Sequence, residues 1–199
     1  MPSDWYYVGS NKIHKTALIN WDVVEMGENN IIGAYTCIGT DAQSIRDKST
    51  GVISIGDNNI FRESVSVNMP TEWSKLTAIE DNCYLMINSN IAHDCYVESN
   101  CIISNNAAFG GHVYVMENTN IGYSVSIHQF QVIGSYCMLG MGSIVPKGAD
   151  IKCGTLWYGV PARFKKYNEV GLQRNGLAVE DMKGEDERRQ SIIEERSKY

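Results

Sequence analysis

Every sixth residue from Ile55 onward is apolar: Ile55, Phe61, Val67, Trp73, Ile79, Leu85, Ile91, Val97, Ile103, Phe109, Val115, Ile121, Ile127, Ile133, Leu139, Val145, Ile151 and Trp157. A second rail follows four places after each of these and is mostly small, with Cys83, Ser89, Cys95, Cys101, Ala107, Thr119, Cys137, Ser143 and Ala149 on it. A repeat of six fits neither a helix nor a stack of hairpins, but it is the repeat of a parallel β-helix built from hexapeptides. Each hexad gives a short strand and a corner, with the large aliphatic turned inward and the small residue placed where the tube narrows. Three hexads close one triangular coil, and successive coils should rise by about 4.8 Å.

Ile13, Ile19, Met26, Ile32 and Ile38 start the same repeat, with one residue extra before Met26. The polar stretch 40–52 (TDAQSIRDKSTGV) breaks it and reads as a loop thrown out from a corner, the kind of place where function is carried. A second excursion, NMPTEWSK at 68–75, keeps the count, but its proline and charges set Trp73 apart from the other inward residues. Near GVPAR (159–163) the coil should end. The pattern then turns helical, from Asn168 to Asn175 with a stop at Gly176, and from Val179 to Lys198 with a break or kink at Gly184. The expectation is an all-β solenoid over 1–161, with an excursion loop at 40–52, and a short helical segment over 162–199.

The chain has 199 residues and a formal charge of −6, so bulk electrostatics argues against a nucleic-acid binder. Its six cysteines lie mostly on the small rail and form no CxxC pair, which reads as buried thiols in a reducing compartment. No apolar run is long enough to span a membrane and no signal-peptide pattern opens the sequence, so a cytoplasmic location is expected.

His93, His112 and His128 follow inward Ile91, Phe109 and Ile127, which are eighteen residues apart and so lie one above another. The spacing predicts three imidazoles in one vertical stripe. Imidazole is suited to proton transfer near neutrality, and Asp94 beside His93 can orient it. Gly110 and Gly111 on the middle rung offer bare backbone that could meet an oxyanion, or simply a corner turn. Three histidines in a groove can also bind zinc, as in a carbonic-anhydrase-like enzyme, but the His-x4-His spacing for two ligands on one strand and corner is absent. No metal is therefore expected.

The segments LMINSNIAHDC (85–95), NNAAFGGHV (105–113), IHQFQVIG (127–134) and NEVGLQRNG (168–176) together resemble the UDP-N-acetylglucosamine O-acyltransferases of lipid A biosynthesis, a likeness running over about residues 12–177. The resemblance implies a left-handed coil, a homotrimer, and active sites between neighbouring subunits. It implies His93 as general base, Asp94 as its partner and Gly111 as oxyanion donor. Gln43, Arg46, Asn90, His112, His128, Gln129, Asn168 and Arg174 would contact substrate, and Met141 would limit the acyl chain to short or medium length. Asn90 replaces a family histidine, Ser44 an aspartate, Val170 a glutamate and Asn175 an arginine, which leaves the nucleotide sugar open. The reaction implied is acyl transfer from an acyl carrier protein or coenzyme A thioester, with no permanently bound cofactor, to the 3-position of a UDP-linked amino sugar. An acetyl-CoA-dependent N-acetyltransferase of a nucleotide-linked deoxyamino sugar is the alternative.

Overall fold

The computed structural model describes residues 4–197. Three sheets of ten, seven and six strands face one another as the walls of a prism. In chain order a coil passes from the first wall (Tyr84–Leu85) to the second (Asn90–Ile91) and the third (Tyr96–Val97), then returns to the first at Ile102–Ile103. The register is eighteen residues: Leu85 pairs with Ile103, Ile103 with Ile121 and Ile121 with Leu139. The rail explains this packing, because each inward aliphatic sits directly over its equivalent, and Leu85, Ile91, Val97, Ile103, Ile121 and Ile133 are fully buried. Cys83, Cys95, Cys101 and Cys137 are buried free thiols, as their place on the small rail predicts.

Each corner turns on a residue in the left-handed backbone region, one every six from 82 to 136. Asparagine tolerates that region best after glycine, and Asn82, Asn88, Asn100, Asn106 and Asn118 occupy it. Asp94, His112 and Phe130 fill the same slot at the corner between the second and third walls, with φ of 60, 64 and 63°.

Trp73 does not join the core: it is 42% exposed. Keeping step with the repeat does not keep it on the wall, because 68–75 and 40–52 are zipped to each other outside the prism. Ser49 bridges Thr71, the Thr50 amide donates to Pro70 O at 3.0 Å, and the Val52 amide to Lys75 O at 3.0 Å.

Both ends of the first wall close with an antiparallel strand. Trp5–Val8 folds back on Asn11–His14. At the other end Arg163–Tyr167 pairs with Thr155–Tyr158, so the segment expected to be helical from 162 begins as a strand. An unpaired last rung would expose a row of backbone donors and acceptors; the returning strand covers it and carries Lys165 and Lys166 on the new edge.

Helix α1 (Glu169–Arg174) is capped by the Asn168 side chain. Helix α2 (Met182–Arg196) runs unbroken through Gly184, where a kink was expected. Tertiary contacts outweigh the glycine's low helix propensity: Met182 is buried against Met116, Cys153 and Leu172, Asp186 accepts from the Cys153 amide at 2.9 Å, and Arg189 pairs with Asp150 at 2.9 Å. Arg188 reaches the buried Glu98 and, at 3.8 Å, Glu117. The helix thus lies along the third wall. Among the described residues no helix is long and apolar enough to cross a membrane.

Candidate functional site

The corner after Ile91 gathers the titratable groups. His93 Nδ1 lies 2.7 Å from Asp94 Oδ2, and the Asp94 side chain is fully buried. The zipped excursions hold that carboxylate from the far side. Its Oδ1 accepts from the Thr71 amide at 3.1 Å, the Ser74 amide at 3.3 Å and the Ser74 hydroxyl at 2.5 Å, while Oδ2 also accepts from the Thr71 hydroxyl at 2.8 Å. Burial alone would favour the neutral acid, but these hydrogen bonds from His93, Ser74 and Thr71 outweigh it and hold Asp94 well below the ordinary carboxylate range. An ionised carboxylate only accepts, so His93 carries a proton on Nδ1, and the neutral ring in this tautomer has its lone pair on Nε2.

Gly111 lies directly over that ring. A Cβ there would come 2.4 Å from His93 Cε1 and 2.6 Å from Nε2, so only glycine leaves room for the imidazole. The ladder between coils uses the His112 amide to His93 O and the Phe130 amide to Gly111 O, each at 3.0 Å, and passes over the Gly111 N–H.

His112 sits edge-on to His93 at 5.1 Å between ring centroids, stacks on Phe130 at 4.2 Å, and meets the edge of Trp73 at 5.8 Å. Its Nε2 is 3.7 Å from Asp94 Oδ2. Burial pushes the His112 imidazole down to about 4; the Asp94 charge opposes this, and His93 and Arg196 add to it. His112 is therefore neutral at pH 7.

The three histidines share a corner but not a stripe. His93 stands second after its inward residue, His112 third and His128 first; the rings of His93 and His112 meet at this corner, and the ring stacked on His112 from the next coil is Phe130. His128 is exposed, with Nδ1 3.0 Å from Gln129 O, and Gln129 is exposed beside it. Gln43 and Arg46 are exposed on the excursion, whose Asp47 is near enough to act on His112. Asn90 is on the same wall and donates to Ser66 Oγ at 2.8 Å.

Asn168 and Arg174 lie elsewhere, by the corner between the third and first walls. The Asn168 side chain caps α1 and donates to Tyr136 O at 2.9 Å, and Arg174 is exposed with it along a groove lined by Asn118 and Asn120. Met141 stands 77% exposed at the corner between the first and second walls. Sequence reasoning missed Thr71, Ser74, Phe130 and Arg196. Of these only Phe130 left a signal, eighteen residues above His112.

His93, Asp94 and His112 bring three potential ligand atoms within 4.8 Å. Ligands of a tetrahedral zinc stand about 3.3 Å apart, whereas His93 Nδ1 and Asp94 Oδ2 at 2.7 Å are at the distance of a shared proton. The remaining lone pairs of Asp94 are already taken by Thr71 and Ser74. In this arrangement the His93–Asp94 pair can hold and pass a proton.

Residues 77–111 match the family described as bacterial transferase hexapeptide, six repeats. The UDP-N-acetylglucosamine O-acyltransferase of Synechocystis sp. is 35% identical over 159 residues, 79% of this chain and 57% of that protein. The chain spans between 55% and 60% of the length of such curated relatives. Among solved structures, LpxA of Acinetobacter baumannii is 30% identical over 88% of this chain and 81% of its own, with a TM-score of 0.70. The UDP-N-acetylglucosamine acyltransferase of Bacteroides fragilis reaches a TM-score of 0.82 at 29% identity, over 90% of this chain and 69% of that one. The coil is thus the left-handed parallel β-helix of these neighbours.

Proposed function

The chain belongs to the UDP-N-acetylglucosamine O-acyltransferase family of hexapeptide-repeat proteins, and from that premise we propose that it moves an acyl group from a thioester to the 3-hydroxyl of the sugar in a UDP-linked amino sugar. The observation that carries this reading is the pair His93 and Asp94, with the proton on Nδ1 and the lone pair on Nε2 free for a substrate. His93 takes the hydroxyl proton as the oxygen attacks the thioester carbonyl. The tetrahedral oxyanion is met by the Gly111 N–H, and the thiol leaves as it regains a proton from His93. No covalent enzyme intermediate is required.

His112, neutral and caged by aromatic rings, serves as a hydrogen-bonding group rather than a cation. Gln43 and Arg46 on the excursion, Asn90 on the second wall, and His128 and Gln129 on the next coil are assigned to the nucleotide sugar. Asn168 and Arg174 are assigned to a site on a neighbouring subunit of a homotrimer. The donor is an acyl carrier protein thioester, which the full name of the Synechocystis relative gives as its donor, or the corresponding coenzyme A thioester. Met141, exposed at its corner, is assigned to limit the acyl chain, so turnover should fall as the chain lengthens.

The test is a panel of acyl carrier protein and coenzyme A thioesters of graded length against UDP-N-acetylglucosamine, run with the native chain and with His93→Ala. Loss of the base should lower kcat/KM by about 10²–10⁴-fold. A loss of only a few-fold would point to an amine acceptor, which attacks before losing its proton, and would sink the hydroxyl assignment.

A further inference from the structure

The backbone at the catalytic corner has a weakness that the coil cannot repair. The ladder between coils takes up the carbonyls of His93 and Gly111, and on the other side those of Cys95 and Val113. The carbonyls between them, of Asp94 and His112, belong to the left-handed corner residues and are outside the ladder. Both are met by one atom from the far end of the sequence. Arg196 Nη2 donates to Asp94 O at 3.2 Å and to His112 O at 2.9 Å, with the guanidinium 5.4 Å from the centre of the Tyr114 ring.

Arg196 is the last residue of α2, eight places beyond Arg188, or about 12 Å along the helix. That distance spans the third wall. Arg188 anchors α2 to Glu98 and Glu117 at one corner of the wall, and Arg196 anchors it to Asp94 and His112 at the other. Tyr114 links the two anchors, with its hydroxyl 2.6 Å from Glu98 and its ring beneath Arg196. The first corner repeats the device: Asn168 Nδ2 donates to Tyr136 O at 2.9 Å and its amide to Gly154 O at 2.7 Å, again two left-handed corner carbonyls eighteen residues apart.

We infer that Arg196 is a positioning residue for the reaction, clamping the backbone of Asp94 and His112 so that docking of α2 fixes the geometry of the His93–Asp94 pair. This rests on the acyl-transfer reading above. The clamp holds two consecutive coils at the height where the base on one must meet the glycine amide of the next. Its charge also acts on the site. His112 is faced by Asp94 and His93 from its own corner, by Asp47 from the excursion and by Arg196 from α2. Arg196 itself is faced by Cys95, Tyr114, Asp94 and Glu195. Of the groups around His112, Arg196 is the fixed cation.

Arg196→Met and Arg196→Lys test the clamp in the full chain. A misplacement of about 1 Å costs about 10²-fold, so Arg196→Met should lose about that factor in kcat while KM for the UDP-sugar moves by less than about threefold. Because a single nitrogen makes both bonds, Arg196→Lys should recover at least about tenfold of the loss. The His112 midpoint, followed by NMR of histidine-labelled protein, should rise in Arg196→Met as the cation leaves. An unchanged kcat, a loss confined to KM, a lysine variant no better than methionine at equal melting temperature, or an unmoved His112 midpoint would each overturn the inference. If the native chain turned over no UDP-sugar, the acyl-transfer reading would fall, while the His112 titration would still decide whether Arg196 governs the corner.

Discussion

Asp94→Asn changes one atom of the site and leaves the corner's shape alone. Asparagine suits the left-handed backbone there, since equivalent corners already carry Asn82, Asn88, Asn100 and Asn106 in that conformation. The Oδ1 side faces three donors, the amides of Thr71 and Ser74 and the Ser74 hydroxyl at 2.5 Å. That side therefore claims the amide oxygen, and the NH₂ turns to where Oδ2 stood, 2.7 Å from His93 Nδ1. Two N–H groups cannot face each other, so His93 must shift its proton to Nε2, and the lone pair that the proposed reaction requires there is gone. In Ser-His-Asp triads the same exchange costs about 10⁴-fold in kcat. Allowing for solvent access, about 10²–10⁴-fold is expected here, or roughly 3–5 kcal/mol of transition-state stabilisation. Initial rates with acyl carrier protein thioester and UDP-N-acetylglucosamine would be read beside thermal melts. Because the folded Asp94 is held below its unfolded pKa, its charge stabilises the fold above about pH 4 and that contribution fades as acid protonates it. The melting temperature of the variant should therefore fall furthest behind the native one at neutral pH. A folded variant keeping a third or more of the native rate would refute the tautomer argument.

Gly111→Ala should disturb the proposed base from the opposite side, because its Cβ would sit 2.4 Å from His93 Cε1; the ring must tilt away, and kcat should fall about 10²-fold while the melting temperature drops only modestly. Stability should also depend on His112, whose imidazole is pushed down to about 4 in the fold against an ordinary 6.5. The unfolded chain then binds more protons between those values, so stability is full above pH 6.5 and is lost as pH falls, by roughly 2 kcal/mol at pH 5. His112→Asn should flatten that stretch of the pH profile in denaturant melts; an unchanged slope would remove His112 as its source.

The coil was legible because its packing demand recurs at a fixed interval, so eighteen-residue stacking could be read directly from Leu85, Ile103, Ile121 and Leu139. The zipper between 49–52 and 70–75 was not, since it joins two stretches that follow no repeat. Trp73 shows the limit, being in step with the rail and yet outside the core, because a count is blind to backbone leaving the wall. At the site His93, Asp94, Gly111 and His112 were legible as neighbours. The single stripe of imidazoles was not real, because counting coils fixes the corner but not the direction in which each side chain leaves it. Where the chain often chooses asparagine, Asp94, His112 and Phe130 stand one above another at this corner, although Ser124 and Tyr136 depart from asparagine at other corners, so the slot alone does not single out the site. Arg196 left no trace, since its partners are main-chain carbonyls that any sequence would supply.

The placement of Asn168 and Arg174 carries a further consequence. They lie by the corner between the third and first walls, and His93 by the corner between the second and third. α2 occupies the wall between them, with Arg188 and Arg196 at its two edges. One sugar nucleotide cannot reach both sets across a covered wall of the same prism. If both serve one reaction, the site is completed by a second copy of the chain, and two damaged copies should repair each other. His93→Ala and Arg174→Ala chains, each inactive alone, would be unfolded together in equal amounts and refolded. With random assembly into cyclic trimers, a site is intact only when His93 comes from an Arg174→Ala chain and Arg174 from a His93→Ala neighbour, which holds for about one interface in four. The mixture should therefore regain about a quarter of the native rate, and the recovery should vanish when the variants are refolded separately and combined. A mixture no more active than its components, in trimers shown by mass to contain both chains, would mean that Arg174 acts within its own subunit or has no part in the reaction.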